Sequence, residues 1–229
     1  MKPIKYSTED RIHVAVDCII FGFDGQELKA LLIHRKMDPG LGVWSLMGGF
    51  VKIDESLDEA AVRILHSLTG LDNIYMEQLH SYGAVHRDIG GRVISVAYFA
   101  LINIEDYEEQ VLDEHDARWV PLNELPDLIF DHKQMVQDAH QRLRQKVANH
   151  PIGFALLPEK FTLPQLLSLY EAIYDAPIDK RNFSRKMLSL GILKKLAEKE
   201  KSSSRKGAFF YVFDQEKYEK LSNEGLSFI

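Results

Sequence analysis

The sequence predicts an α+β protein of two domains, a mixed sheet between helices over residues 1–150 and a smaller domain over residues 151–229. In the first 150 residues, runs rich in β-branched and apolar residues alternate with amphipathic segments. A proline and a glycine then follow a long polar helix within a few residues, at His150-Pro151-Ile152-Gly153. The charge also changes sign there, from an excess of nine acidic residues to an excess of three basic ones.

Composition limits the classes of function. The 229 residues are 45% hydrophobic, which allows a core in each domain and excludes wholesale disorder. No apolar run reaches the length of about 18 residues that a membrane helix needs, and residues 1–10 lack an apolar signal core. The single Cys18 lies in an apolar run, which predicts a packed thiol in a reducing compartment. We therefore expect a cytoplasmic protein without a membrane segment.

In the first domain, a hairpin signal at Asp24-Gly25 joins two predicted strands, residues 11–24 and 28–35. A helix is predicted over residues 55–69, with acidic residues at its start and Gly70 at its end. Further strands are predicted over residues 75–87, 92–102 and 117–122, and a polar amphipathic helix over residues 131–148, with Met135, Ala139, Leu143 and Val147 at helical spacing.

The second domain begins with a predicted helix whose N-cap is Thr162 and whose first turn contains Pro164. A second helix is predicted from about Lys180 to Leu190, before Gly191. One face of this helix is apolar, and the other presents Arg181, Asn182, Arg185, Lys186 and Ser189 within a roughly 140° arc. Arginine and asparagine reach base edges in a major groove, whereas lysine and serine reach phosphates.

Residues 178–211 hold ten basic and three acidic residues within an otherwise acidic protein. The loop after the second helix contains Lys201, Arg205 and Lys206 around three serines, and residues 208–213 form a predicted strand. The pattern is that of a winged helix-turn-helix, with this loop as the wing. The alternative is a solvated basic face, and RNA binding is less favoured because no exposed aromatic pair is evident.

Gly49, Glu55, Arg63, Gly70 and Leu71 have the spacing G-x5-E-x7-R-x6-G-U, where U is a bulky aliphatic residue. This spacing resembles the signature of the Nudix hydrolases, G-x5-E-x7-R-E-U-x-E-E-x-G-U, and the resemblance covers about residues 11–148. It implies a Nudix fold, a mixed sheet between helices. Nudix enzymes hydrolyse diphosphates with Mg²⁺ held mainly by the glutamates of the box, and those three positions are occupied here by Ile64, Ser67 and Leu68.

We therefore expect no catalytic residues, no metal site and no cofactor, and interpret the domain as catalytically inactive. Glu59 and Arg63 stand at i, i+4 and predict an exposed ion pair. The alternatives that stay open are a residual metal site at Glu55 and Glu59, or a displaced one from acids such as Asp113, Glu114 and Asp116.

A Nudix cleft without metal can still bind a small molecule. Polar and aromatic residues on the strands near the box are the candidates, because arginine or aspartate beside an aromatic ring suits a sugar. The predicted effector-binding residues are His34, Arg35, Trp44, Ser45, Asp88 and Tyr98. For any one of these, a solvent-facing or core position is at least as good an interpretation.

The segments Phe130-Asp131-His132, Phe161-Thr162-Leu163-Pro164-Gln165-Leu166 and Asp179-Lys180-Arg181-Asn182-Phe183-Ser184-Arg185-Lys186-Met187 resemble the Nudix-related transcriptional regulators of the NrtR family. In that family a disabled Nudix domain senses a metabolite, dimerises and controls a winged helix-turn-helix bound to a palindromic operator. The resemblance implies a homodimer that binds double-stranded DNA through Lys180, Arg181, Asn182, Arg185 and Lys186.

Branches of the family respond to ADP-ribose in NAD metabolism or to pentoses such as L-arabinose. Loss of the box carboxylates removes the positions that would meet a Mg²⁺-diphosphate, so the sequence favours a repressor of sugar utilisation released by L-arabinose. The alternatives are an ADP-ribose-responsive regulator, an active pyrophosphohydrolase, and a non-catalytic adaptor for RNA or protein.

Overall fold

The computed structural model describes residues 11–70, 74–106, 116–201 and 207–223. Within these ranges, seven strands form one mixed sheet and three strands form a second, smaller sheet. No helix in them is long and apolar enough to cross a lipid bilayer. The α+β class and the mixed sheet of the first domain are confirmed.

Two long strands form the centre of the large sheet. β1 (His13–Phe23) and β6 (Val93–Asn103) run parallel and pair along their whole length. The other strands, each antiparallel to β1, β2 or β6, are β2 (Leu28–His34), β3 (Trp44–Ser45), β4 (Met47–Phe50), β5 (Tyr75–Tyr82) and β7 (Ala117–Pro121). β5 ends at Tyr82, before Gly83, so the strand predicted to reach residue 87 is shorter, and residues 83–92 form a loop.

The two faces of this sheet are covered by different parts of the chain. Val16, Cys18 and Ile20 are fully buried beneath α1 (Leu57–Thr69). Alternate residues of the same strand, including Ile19 and Phe21, belong to a separate core on the opposite face. The prediction that Cys18 is a packed thiol is confirmed, and burial raises the pKa of that thiol.

Helix α1 ends where the sequence predicts and begins at Leu57, two residues later than predicted. Ser56 is the N-cap, and its side chain and that of Glu59 each accept a hydrogen bond from the backbone N–H of the other. Gly70 ends the helix with a left-handed φ of 67°, a conformation that glycine adopts without a Cβ clash. The predicted end of the helix is therefore confirmed.

Helix α2 (His132–Asn149) covers the other face of the sheet. The apolar positions predicted for it, Met135, Ala139, Leu143 and Val147, are all fully buried. Its remaining surface is polar, as the amphipathic pattern predicts.

The second domain contains a helix-turn-helix and a three-stranded sheet. Its elements are a short 3₁₀ helix (Pro151–Leu156), β8 (Phe161–Thr162), α3 (Leu163–Tyr174), α4 (Lys180–Ser189), β9 (Leu193–Glu200), β10 (Ala208–Phe213) and α5 (Gln215–Asn223). Thr162 caps α3, with its hydroxyl accepting from the backbone N–H of Gln165, as predicted. β9 and β10 pair antiparallel on either side of the loop predicted to be a wing.

The core on the α2 face continues from one domain into the other. It includes Phe21 and Phe99 from the large sheet, Leu143 from α2, and Leu166 and Tyr170 from α3. Because these side chains pack in one cluster, a displacement of α2 has to be accommodated by the helix-turn-helix. The domain boundary after residue 150 stays a prediction.

Candidate effector cleft and nucleic-acid interface

A cleft of about 340 Å³ opens on the α2 face of the large sheet, beside the first turn of α2. Its walls come from β1, β2, β4, the loop between β5 and β6, and the residues that lead into α2. Segments distant in sequence therefore meet at one cavity.

Asp17 forms the polar floor of this cleft, although it lies within an otherwise apolar stretch of β1. Its carboxylate is almost fully buried and accepts a hydrogen bond from the Ser95 hydroxyl at 2.5 Å. The same Oδ2 atom lies 3.7 Å from Arg87 Nη2 and 3.7 Å from His132 Nε2. Buried charge of this kind is stable only when it is paired and hydrogen-bonded.

Arg87 lies between two carboxylates. It donates from Nε to Asp131 Oδ2 at 2.9 Å and from Nη2 to Asp131 Oδ1 at 2.6 Å, a bidentate pair. Burial alone lowers the pKa of this guanidinium, but the hydrogen bonds to Asp131 and the charges of Asp131 and Asp17 raise it above its ordinary value. The floor of the cleft therefore holds a permanent positive charge.

His132 is neutral in this arrangement. Its Nδ1 accepts a hydrogen bond from the backbone N–H of Leu46 at 3.1 Å, so the ring proton lies on Nε2, which faces Asp17. Burial lowers the pKa of the imidazole, and the nearby Asp17 carboxylate only partly offsets this. His132 thus links the floor of the cleft to the connection between β3 and β4 and to the first turn of α2.

Four of the predicted effector residues line the cleft: His34, Arg35, Ser45 and Asp88. Trp44 does not line the cleft directly. Its ring contacts that of His34, with the two centroids 3.7 Å apart. His34 also pairs with Asp116 across a 3.0 Å contact. Whether these side chains bind an effector stays a prediction.

The structure does not place Tyr98 in the cleft. Side chains alternate along β6, and Tyr98 points to the α1 face, where it is buried and its hydroxyl donates to Asp58 at 2.5 Å. Burial, together with this hydrogen bond, raises the pKa of Tyr98. The sequence identified the strand correctly but not the face, and Ser95 on the same strand contributes to the cleft floor instead.

Cations and aromatic rings surround the mouth of the cleft. Arg35 and Lys36 line it on one side, and the guanidinium of Arg35 lies 5.4 Å from the ring centroid of Phe130. Phe50 and Met37 add apolar surface. Together with carboxylates that accept from hydroxyls, this set suits a ligand with an anionic group, hydroxyls and a flat ring.

The residues of the Nudix-like box make structural contacts. Glu55 accepts from Arg63 Nε at 2.8 Å, and hydrogen bonds from Arg63 and from the backbone N–H of Lys52 hold the pKa of Glu55 at about 2. The predicted ion pair between Glu59 and Arg63 is wrong, because Glu59 caps α1 and Arg63 reaches Glu55 instead.

Two of the three positions of the signature glutamates, Ile64 and Ser67, have side chains that the structure describes. Ile64 is buried against the sheet, and Ser67 donates from its hydroxyl to the backbone oxygen of Ile64. The side chain of Leu68 lies outside the described residues, as do Asp113 and Glu114. In the part of the chain that the structure describes, no three His, Cys, Asp or Glu residues are grouped so as to hold a metal ion.

The predicted effector residues did not include Asp17, Arg87, Phe130 or His132. Asp17 offered the one usable signal, an acid inside an apolar strand, since such a residue requires buried partners. The other three follow from loop and helix-terminus geometry, which has no periodic pattern in the sequence.

The predicted DNA-contacting residues of α4 form one exposed face. Lys180, Arg181, Asn182, Arg185, Lys186 and Ser189 are exposed, whereas Phe183 and Met187 are buried. Phe183 packs edge-on against Tyr170 of α3, with centroids 5.2 Å apart. Asp179 caps α4, and Arg185 donates to the Asn182 side chain at 2.7 Å.

The wing strands present further cations. Lys195 and Lys199 of β9 both lie over the ring of Phe209, at 3.6 Å and 4.4 Å from its centroid. Lys201 is exposed at the end of β9, and Arg205 and Lys206 lie outside the described residues.

The domain order matches two known family models, a NUDIX domain over residues 11–139 and the NrtR DNA-binding winged helix domain over residues 153–213. The chain is also 35% identical to the ADPR responsive transcriptional repressor NtrR of Acinetobacter baylyi, over 90% of this chain and 84% of that protein. The chain belongs to the NrtR family.

Two solved structures of the family resemble this fold. Shewanella oneidensis NrtR, in complex with a 27mer DNA, is 33% identical with a TM-score of 0.81, covering 90% of this chain and 95% of that one. The NUDIX domain of the same protein, in complex with ADP ribose, is 32% identical with a TM-score of 0.50, covering 60% and 94%. The predicted Nudix fold followed by a winged helix domain is thus confirmed, and the chain is a DNA-binding regulator of NrtR type.

Proposed function

We propose that this NrtR-family chain is a transcriptional repressor that leaves its DNA when ADP-ribose binds the cleft. The observation that carries the proposal is the composition of the cleft. Arg35 and Lys36 lie at its mouth and Arg87 on its floor, beside an aromatic ring and hydroxyl-accepting carboxylates. Guanidinium and ammonium groups neutralise a diphosphate directly, so the ligand needs no box carboxylates and no metal.

The cations of the cleft remove the reason for favouring L-arabinose. The sequence favoured a pentose because a diphosphate was expected to need Mg²⁺ on the box helix. A pentose is neutral, and three cations around one cleft offer it little. The A. baylyi relative is described as ADPR responsive, and the S. oneidensis NUDIX domain is described in complex with ADP ribose. ADP-ribose is therefore the effector that we propose.

Within the cleft, we assign Arg35 and Lys36 to the diphosphate and the Phe130 ring to the flat base. Asp88 and Ser45 are placed to accept from or donate to sugar hydroxyls. His34 lines the same wall and is held by its hydrogen bond with Asp116 and its contact with the ring of Trp44.

We propose that the chain does not hydrolyse its effector, because the three box positions hold Ile64, Ser67 and Leu68. The measurement is the release of AMP and ribose 5-phosphate from ADP-ribose in the presence of Mg²⁺ or Mn²⁺. No product is expected. Turnover that Glu55→Gln abolishes would instead establish a pyrophosphohydrolase.

The DNA interface proposed here is the exposed face of α4 together with the β9–β10 wing. Lys180, Arg181, Asn182, Arg185, Lys186, Ser189 and Lys201 belong to it, with Arg205 and Lys206 assigned from the sequence alone. Helix-turn-helix proteins usually read two half-sites as dimers. We therefore propose a homodimer on a palindromic operator, acting in the cytoplasm.

The decisive experiment measures binding to a labelled duplex that the wild-type protein selects from a random-sequence pool. Affinity is expected to fall with salt concentration, because phosphate contacts release counterions. ADP-ribose should weaken binding, and L-arabinose at the same concentration should leave it unchanged. Release by L-arabinose but not by ADP-ribose would refute the effector assignment, and binding indifferent to salt would refute the DNA interface.

A further inference from the structure

Asp131 lies beside the cleft at the start of α2, and its carboxylate makes an unusual set of contacts for that position. It occupies the N-cap position of α2, yet its side chain makes no hydrogen bond to the first turn of that helix. An N-cap aspartate ordinarily accepts from the backbone N–H two or three residues on. Here both of its oxygens accept from Arg87 instead. The carboxylate therefore pairs with Arg87 and leaves the usual capping role of its position unfilled.

The residue before it has a strained backbone. Phe130 has a φ of 55°, in the left-handed region that a bulky side chain rarely adopts. Its ring lines the cleft and contacts the edge of His132, with centroids 5.6 Å apart. Such a conformation persists only where the surrounding contacts hold it. The entry into α2 is thus held in place by contacts made at the cleft.

The other end of the path lies in α2 itself. His140 Nε2 and Arg144 Nε both donate to the backbone oxygen of Ile173, each at 2.8 Å. Ile173 lies in the last turn of α3, and the Tyr174 hydroxyl donates back to the Arg144 carbonyl. These hydrogen bonds tie α2 to the helix that packs against α4.

We propose that Arg87 binds the diphosphate of the effector and, in doing so, releases Asp131 to cap α2. In the free protein Arg87 holds Asp131, and in the bound protein the phosphate oxygens take its donors. The start of α2 then changes position, and the contacts of His140 and Arg144 pass this change to the helix-turn-helix. The inference rests on the proposed function, since it takes ADP-ribose as the effector.

Regulation requires two alternative states of the protein that the effector binds with different affinity, and the two arrangements of Asp131 provide them. In each of them the Asp131 carboxylate accepts hydrogen bonds, from Arg87 in one and from the first turn of α2 in the other. An effector that makes contacts in only the second arrangement shifts the population toward it. A substitution that weakens the first arrangement must therefore strengthen effector binding and weaken DNA binding together.

The test is Asp131→Asn, which removes the charge that holds Arg87 but keeps a residue able to cap a helix. The control is Asp138→Asn, on the same helix, whose carboxylate accepts from Tyr82 and Gln134 instead. Calorimetry with ADP-ribose and binding to the selected duplex are measured on the full chain. Asp131→Asn should bind ADP-ribose about fivefold more tightly and the duplex correspondingly more weakly, at the lower end of typical coupling. Asp138→Asn should match the wild type in both.

A purely structural role for Asp131 would lower the melting temperature and leave both affinities unchanged, or weaken both. Either result overturns the inference. A second arm, the double variant His140→Phe, Arg144→Met, removes both donors to Ile173. It should bind ADP-ribose as the wild type does, while the duplex affinity no longer responds to the effector. A fully retained response would overturn the role of α2 in transmission.

The experiments distinguish a failure of the proposed function from a failure of the roles proposed for Arg87 and Asp131. If wild-type protein neither binds ADP-ribose nor releases the duplex with it, the proposed function is wrong. If the wild type responds but Asp131→Asn behaves like Asp138→Asn, the proposed function stands and the assignment of Arg87 and Asp131 is wrong.

Discussion

The floor of the cleft and the exposed face of α4 are both clusters of charged side chains, but they are built in opposite ways. At the floor, Arg87 is buried and pairs with the buried Asp17 and with the partly buried Asp131. On α4, Arg181, Arg185 and their neighbours extend into solvent. The first cluster comes from three separate segments, and the second comes from ten consecutive residues.

Because of this difference, substitutions in the two clusters should change different properties, folding stability at the cleft and DNA affinity on α4. Removing one member of a buried, paired cluster leaves an uncompensated charge and costs roughly 3–5 kcal/mol of folding stability. Removing an exposed charge usually changes stability by less than about 0.5 kcal/mol, so its effect is confined to binding. Stability measurements should therefore report on the cleft, and DNA affinity on α4.

The largest effect is expected at the cleft, from Gly48→Ala. A Cβ at this position would lie 2.0 Å from Asp17 Oδ1 and 2.9 Å from the backbone oxygen of Val16. We expect a loss of about 3 kcal/mol in the free energy of unfolding, measured with urea. Gly49→Ala is the matched control, because its Cβ would meet Ile64 at an ordinary 3.5 Å. Equal unfolding midpoints for the two variants would contradict the tight packing at Asp17.

A large effect on DNA affinity, rather than on stability, is expected from Arg185→Ala. Loss of a bidentate base contact costs about 1–3 kcal/mol, so affinity for the selected duplex should fall by roughly 5- to 150-fold while the unfolding midpoint stays unchanged. Lys220→Ala removes an exposed cation from α5 and serves as the control. Unchanged DNA binding by Arg185→Ala would mean that α4 is not the recognition helix.

An intermediate effect is expected from Tyr98→Phe. This variant tests whether Tyr98 points to the α1 face of the large sheet rather than to the cleft. The variant loses the hydrogen bond to Asp58 and about 1 kcal/mol of stability. Its affinity for ADP-ribose should equal that of the wild type, because the side chain points away from the cleft. A marked loss of ADP-ribose binding in calorimetry would place Tyr98 in the effector site after all.

The smallest effect concerns pH. Burial lowers the pKa values of His132 and His140 below the ordinary 6.5, so the unfolded chain binds protons that the folded chain does not. Their contribution is fully present above about pH 6.5 and declines as the pH falls toward the folded-state values. His132→Asn, which keeps an acceptor for the Leu46 N–H, should show a shallower loss of unfolding free energy between pH 6.5 and acid. An unchanged slope would contradict the burial of a neutral His132.

Much of the fold could be predicted because it depends on local patterns. The Gly70 end of α1, the Thr162 cap and the buried stripe of α2 follow from residue type and helical spacing. The exposed face of α4 follows in the same way. Tyr98 shows the limit of this reasoning, since one residue along β6 decides between the α1 face and the cleft.

The sequence alone was enough to predict the order of the domains, the Nudix-like box without its three glutamates, and the basic helix. Each of these depends on consecutive or regularly spaced residues. Only the tertiary structure decided which charges meet at the cleft, and that Arg63 pairs with Glu55 rather than with Glu59. It also decided that one core joins the two domains. These outcomes depend on the distances between segments far apart in the chain, which no local spacing encodes.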